Sequence, residues 1–316
     1  MIQVTAGLMR DSHQTIPAVF RNMPQFVSEA LSELAGSSVV VKVETANPIG
    51  CFKGRGTWLA VADLARKGEV GERRGVIVAS AGNFGQGVAY ACRVYGVPAI
   101  VMAATTANPA KVEAMRRLGA EVRLVGEDFD VARAAAAELA LETGQQLLVD
   151  GQDPWMAIGA GTIALELTTG IAQEEIPALS AIYVPVGNGS LIAGIGTWLR
   201  HAAPTTRIIG VQAAQAPAMT LSWRAGRAIE TARADTVADG IAARVPVAEA
   251  LELMLDVVDD MLLVDETAIL NATDEMSAAL PFSIETAAGA GWAAMRQAVP
   301  SGGTIGLVLT GGNVAR

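Results

Sequence analysis

Short, almost uninterrupted apolar runs alternate with stretches of helical periodicity along most of the chain, and this alternation constrains the fold more than any other feature. The β-rich runs cover residues 39–43, 75–79, 99–103, 121–125, 146–149, 181–186, 207–212, 261–264 and 304–309. Helical patterns lie between them at 57–67, 85–95, 110–118, 131–143 and 162–171. Runs without a polar residue at every second place belong to strands covered on both faces, so the expected class is α/β with parallel sheets between helix layers. Four runs fall between Gly75 and Asp150 with short connections, while the chain on either side supplies strands of its own. The pattern predicts two three-layer domains. The smaller, 75–150, is inserted into a larger one made of 1–74 and 151–316.

Composition removes several function classes. Acidic side chains outnumber basic ones, 32 to 23, giving a net charge of −9, so a polyanion meets repulsion and nucleic acid is not an expected partner. Glycine or proline breaks each apolar run before the roughly 20 residues of a membrane helix. The start, MIQVTAGLMRDSHQ, lacks the charged and apolar regions of an export signal. A cytoplasmic chain with no membrane partner is expected. Cys51 and Cys92 form neither a disulfide framework nor a CxxC pair. His13 and His201 have no Cys or His at metal spacing, so no metal site is expected. Catalysis then falls to lysine, hydroxyls, backbone amides or a cofactor.

Lys53 lies in ETANPIGCFKGRG, between Phe52 and a run of glycines. Asn47-Pro48 and Gly50 before it, and Gly54 and Gly56 after it, mark turned backbone ahead of a helix expected from about Thr57. By itself this also reads as a loop lysine beside a buried Phe52. Three glycine-rich turns follow strands elsewhere: SAGNFGQG from Ser80, VGNGSLIAG from Val186 and TGGN from Thr310. In open α/β sheets ligands bind at such carboxyl ends. A dinucleotide fingerprint fails after Gly187-Asn188-Gly189, because its third glycine position is Ile192 and the next strand ends in Gln212 instead of an acid. A single phosphate suits the turn better. Amides from Gly187 to Leu191 can converge on one anion at a helix N-terminus, with the Ser190 hydroxyl added. A lysine near a phosphate cradle points to pyridoxal phosphate.

These segments resemble those of fold-type II pyridoxal-phosphate enzymes, the group of serine/threonine dehydratases, serine racemase and threonine synthase. NPIGCFKGRG is similar to N-P-x-x-S-F-K-x-R-G-A, and SAGNFGQGVA to S-A-G-N-H-A-Q-G-V-A. DPWMAIGAGTIALEL, VGNGSLIAG, VADGIAARV and TGGN follow in the family's order. The resemblance implies that Lys53, beside Phe52, carries the Schiff base and that Asn83 bonds the ring hydroxyl. It implies that Ser80, Ala81, Gly82, Asn83 and Phe84 grip the substrate carboxylate. Gly187, Asn188, Gly189, Ser190 and Leu191 would hold the phosphate, and Thr310 would face the pyridine nitrogen. Glu285 resembles a glutamate near the cofactor, and reads equally as an acid ahead of a helix from Thr286. A homodimer is implied in the same way.

A hydroxyl at Thr310 cannot stabilise a pyridinium as a carboxylate does, which favours prompt loss of a β-substituent over transamination. The expected activity is an ammonia-lyase (dehydratase) reaction turning a β-hydroxy amino acid into a 2-oxo acid and ammonia. Phe84 stands where the family has histidine, and Cys51 where it has serine. Ala81 occupies the place of the racemase serine, which disfavours racemisation. VQAAQAP and the asparagine of GNGS are similar to threonine synthase, so a β,γ-replacement enzyme acting on O-phosphohomoserine is the nearest alternative. A cofactor-binding protein without activity is the alternative of another class.

Overall fold

The computed structural model describes residues 2–127, 129–297 and 302–314, so small parts of both expected domains, including the two chain ends, lie outside the described residues. The apolar runs form strands β1 (Gln25–Val27), β2 (Val39–Val43), β3 (Val76–Ala79), β4 (Ala99–Ala103), β5 (Glu121–Leu124), β6 (Gln146–Leu147), β7 (Leu179–Pro185), β8 (Arg207–Ala213), β9 (Asp260–Val264) and β10 (Thr304–Leu309). They build a six-stranded sheet, β1-β2-β10-β7-β8-β9, and a four-stranded sheet, β5-β4-β3-β6. Every pairing is parallel except that of β1 with β2. The fold is thus the expected α/β type, and β1 is an addition: three residues, two half-buried and one exposed, leave too short a pattern to read. The expected strand at 146–149 shrinks to two residues before the chain turns.

β2, β4 and β10 are buried along their whole length, as continuous apolar runs require. All four strands of the smaller sheet come from residues 76–147, and the larger sheet draws on both sides of that span. The helix Pro154–Ala172 is long and apolar enough to cross a bilayer, yet most of it is buried inside the protein, packed on Ser190–Ala202 and Lys53–Arg66. Lys53–Arg66 serves two cores. Its Leu59 joins the cluster around Ile158 and Ile192, while Ala60 and Val61 join Val76, Val78 and Val88 of the smaller sheet.

Helix starts differ from expectation in a consistent direction. The helix expected from Thr57 begins at Lys53, the one expected from Gly85 begins at Asn83, and that expected from Thr162 begins at Pro154. Glycines that look like turn signals lie inside helices because a distant neighbour packs against the helix there. A Cβ on Gly54 would stand 2.4 Å from the Phe20 ring, and one on Gly159 would stand 2.4 Å from the Gly56 nitrogen.

Candidate active site

Lys53 is held by a turn tied to the far end of the chain. Asn47 closes that turn, accepting from the Ile49 amide and donating to the Glu44 and Cys51 carbonyls, and Gly50 takes the left-handed conformation at φ 62°. The Phe52 amide bonds the Thr310 carbonyl, the Gly312 amide bonds the Gly50 carbonyl, and Asn313 donates to the Ile49 carbonyl. Lys53 therefore stands at the head of its helix. Its Nζ lies 4.7 Å from the Phe52 ring centroid and contacts Asp150 Oδ1 and Oδ2 at 2.8 and 2.7 Å.

Two residues further on, the wholly buried Arg55 anchors this helix. Its guanidinium bonds Glu44 through two nitrogens at 2.8 Å and Glu166 at 2.7 and 2.8 Å. Glu166 also accepts from Lys42 at 2.6 Å and lies 3.0 Å from His13 Nε2. Burial works to raise the Glu166 carboxyl, but Arg55, His13 and Lys42 together hold it well below the ordinary carboxylate range.

The anion cradle lies at the carboxyl end of β7. Gly189 adopts φ 93° directly before the helix Ser190–Ala202, whose first amides no side chain caps. A Cβ on Gly187 would stand 2.9 Å from the Gly240 carbonyl oxygen, so this backbone must stay bare. Asn188 Nδ2 and Ser190 Oγ point to the Asp150 carboxylate at 3.2 and 3.4 Å. Asp150 is the site residue that sequence reasoning missed. VDGQ after a strand reads as a turn, and only tertiary packing brings this acid to a lysine 97 positions away.

The 80–84 loop forms the facing wall. Ser80 Oγ accepts from the Gly82 and Gly85 amides at 3.2 and 2.9 Å, so those two N–H groups are engaged by the loop itself. Ala81, at the turn, and Asn83 and Phe84, in the first turn of Asn83–Tyr95, carry amides without an intrahelical partner. Asn83 Nδ2 donates to Glu285 Oε1, and Asn313 donates to Asn83 Oδ1, both at 2.8 Å. Glu285 is buried immediately ahead of the helix Thr286–Gln297, and its Oε2 has no hydrogen-bond partner among the described residues. Burial pushes its carboxyl up to about 7. The Phe84 side chain packs into the apolar cluster of the smaller sheet, and Cys51 is buried, with its thiol pushed far up by desolvation. Gln212 accepts two bonds from Thr220 in the interior.

All of these groups border one cleft of about 950 Å³: Lys53 with Phe52, the 80–84 loop, Asp150, the 187–191 turn, Glu285 and Thr310. The residues fit pyridoxal phosphate. An amine stands at one end, and a bare glycine cradle, already holding a carboxylate, stands within reach of it. Further along are a Thr310 hydroxyl and a Glu285 oxygen that no other described residue engages.

Residues 18–311 match the family model described as "Pyridoxal-phosphate dependent enzyme". The chain is 34% identical to an L-threonine ammonia-lyase of Thermotoga maritima over 98% of this chain and 76% of that protein. It is 37% identical to an L-threonine ammonia-lyase of Geobacter sulfurreducens over 91% and 70%. Among solved structures it is similar to the processed form of threonine deaminase isoform 2 from Solanum lycopersicum, with 30% identity, a TM-score of 0.88 and 98% and 90% covered. It also resembles maize serine racemase, with 26% identity, a TM-score of 0.90 and 99% and 95% covered. Over almost its whole length, this chain belongs to the pyridoxal-phosphate dependent enzyme family.

Proposed function

We propose that the protein is an ammonia-lyase that converts a β-hydroxy amino acid such as threonine or serine into a 2-oxo acid and ammonia. The observation that carries this reading is the enclosure of the Lys53 amine, the glycine cradle and the neutral Thr310 hydroxyl in one cleft. The names of the ammonia-lyase and deaminase relatives support it.

Gly187, Asn188, Gly189, Ser190 and Leu191 would hold the cofactor phosphate, Lys53 its aldehyde carbon, Asn83 its ring hydroxyl and Thr310 its ring nitrogen. When bound, pyridoxal phosphate supplies an electron-withdrawing system conjugated with the substrate nitrogen. The remaining work belongs to the chain. Ala81, Asn83 and Phe84 border the cleft at the start of the helix Asn83–Tyr95, where their amides would bind a substrate carboxylate with the positive end of that helix behind them. Lys53, as the free amine, takes the Cα proton and returns a proton to the departing β-hydroxyl, so that water leaves. The released enamine then hydrolyses in solution to the 2-oxo acid and ammonia.

The replacement reaction on O-phosphohomoserine needs cations for a second phosphate. Lys111, Arg133, Arg233 and Arg244 border the cleft, and each is already paired with an acid, Lys111 with Asp239, Arg233 with Asp235 and the other two arginines with Asp130. That speaks for elimination. The reading carries with it a cytoplasmic homodimer with a small domain at 75–150, and light scattering on the eluting protein tests the dimer. The deciding assay is release of 2-oxo acid and ammonia from a panel of β-hydroxy amino acids, with O-phosphohomoserine alongside and Lys53→Ala as control. Oxo acid from a panel member, lost in the variant, is the expected result. Threonine and phosphate from O-phosphohomoserine without any oxo acid would replace the reading with the synthase one, and cofactor binding without turnover would leave a silent homologue.

A further inference from the structure

We infer that Asp150 is an internal anion set against the 187–191 turn, where it competes with the cofactor phosphate for the Asn188 and Ser190 side chains. This rests on the cofactor-binding roles assigned above to Lys53 and the 187–191 turn. One carboxylate engages both the lysine and two side chains of the turn. Both its oxygens lie on Lys53 Nζ, at 2.8 and 2.7 Å, and they accept from Asn188 Nδ2 at 3.2 Å and Ser190 Oγ at 3.4 Å. Lys53 and Asp150 are each only 14% exposed, so water screens the pair little.

The placement is built by the backbone. Gly151 follows at φ 89°, and a Cβ there would stand 3.0 Å from the Asn188 carbonyl oxygen, so this loop lies directly on the cradle. Asp153, two residues later, caps the helix Pro154–Ala172 through the Trp155 amide at 2.8 Å and fixes the loop's far end. A phosphate dianion and this carboxylate cannot share Asn188 and Ser190, because like charges in contact repel strongly where water is scarce. Asp150 thereby lowers the affinity of the cradle for phosphate.

The test strips the holoenzyme of cofactor and titrates the full-length apoprotein with inorganic phosphate, then with pyridoxal phosphate, by calorimetry. Asp150→Asn keeps the shape and removes the charge, and Asp150→Ser serves if the first variant does not fold. The expected result is tighter binding of both probes, by about tenfold or more, since removing one contacting like charge is worth at least one decade. Inorganic phosphate reads the cradle alone, which a merely structural role would leave unchanged or weaken. Unchanged or weaker phosphate binding by a folded variant overturns the inference. Failure of the wild type to bind pyridoxal phosphate, or binding that survives Lys53→Ala without loss, instead overturns the assignment of the cofactor site.

Discussion

Burial pushes the Glu285 carboxyl up to about 7, with Lys111 opposing and Asp239 reinforcing the shift. Below its ordinary value of 4.5 the group is protonated in the folded and unfolded chains alike and contributes nothing to pH dependence. Between there and about 7 the unfolded chain releases a proton that the folded chain keeps, so stability falls as pH rises, and the whole penalty is present above about 7. Glu285→Gln removes that penalty while its amide oxygen still accepts from Asn83. The variant apoprotein is expected to be more stable than the wild type at about pH 8, by roughly 3 kcal/mol, and the two should converge below about pH 4.5. Urea unfolding across that range reads the effect, and a gap that does not change with pH would refute it. At this scale local motifs were enough to mark residues that line the cleft. Lys53, Asn83, Thr310 and the 187–191 turn all border one cleft. Asp150 could not be read, since nothing local to VDGQ says which lysine it will face.

Elements were legible in type and order more than in their limits, and the glycines show why. Gly54 and Gly56 look like turn signals in the sequence, but like Gly159 they sit inside helices where another part of the chain packs close. The information that decides between these readings is a neighbour far along the chain: Phe20 for Gly54, Met156 for Gly56 and Gly56 itself for Gly159. Two substitutions of the same kind should therefore have opposite signs. Gly7 lies exposed in the helix Ala6–His13, and an added Cβ there meets nothing within 4 Å, so Gly7→Ala should raise stability by up to about 1 kcal/mol through helix propensity. Gly159→Ala drives a Cβ into the Gly56 backbone and should cost about 1–3 kcal/mol or more. Thermal melting of the pair decides the matter, and equal shifts would remove the close-packing account. Such damage at Gly159 should also shift Lys53, because the crossing places the first turn of its helix.

The order of strands in the sheets was beyond the reach of local patterns. β10, last in the chain, lies between β2 and β7, and periodicity contains no term for that pairing. A buried charge cluster ties four other distant segments together. Glu166 on Pro154–Ala172 meets Arg55 of the Lys53 helix, Lys42 of β2 and His13 of the first helix, while Glu44 completes the pairing with Arg55. Buried ion pairs seldom exceed a well-packed apolar replacement in stability, but removing one partner leaves an uncompensated charge. Glu166→Gln leaves Arg55 and Lys42 with Glu44 as their remaining carboxylate, and should lower stability at pH 7 by about 3–5 kcal/mol. Its pH dependence runs opposite to that of Glu285. The folded carboxyl is held far below its ordinary 4.5, so its contribution is complete above that value and is withdrawn as pH falls below it. The difference between wild type and variant should accordingly be smaller at about pH 3 than at pH 7. Because the cluster is buried, added salt at neutral pH should leave the gap nearly unchanged, whereas a surface pair would weaken. A gap that closes with salt, or that widens in acid, would show that these four segments are held together by something other than the charges between them.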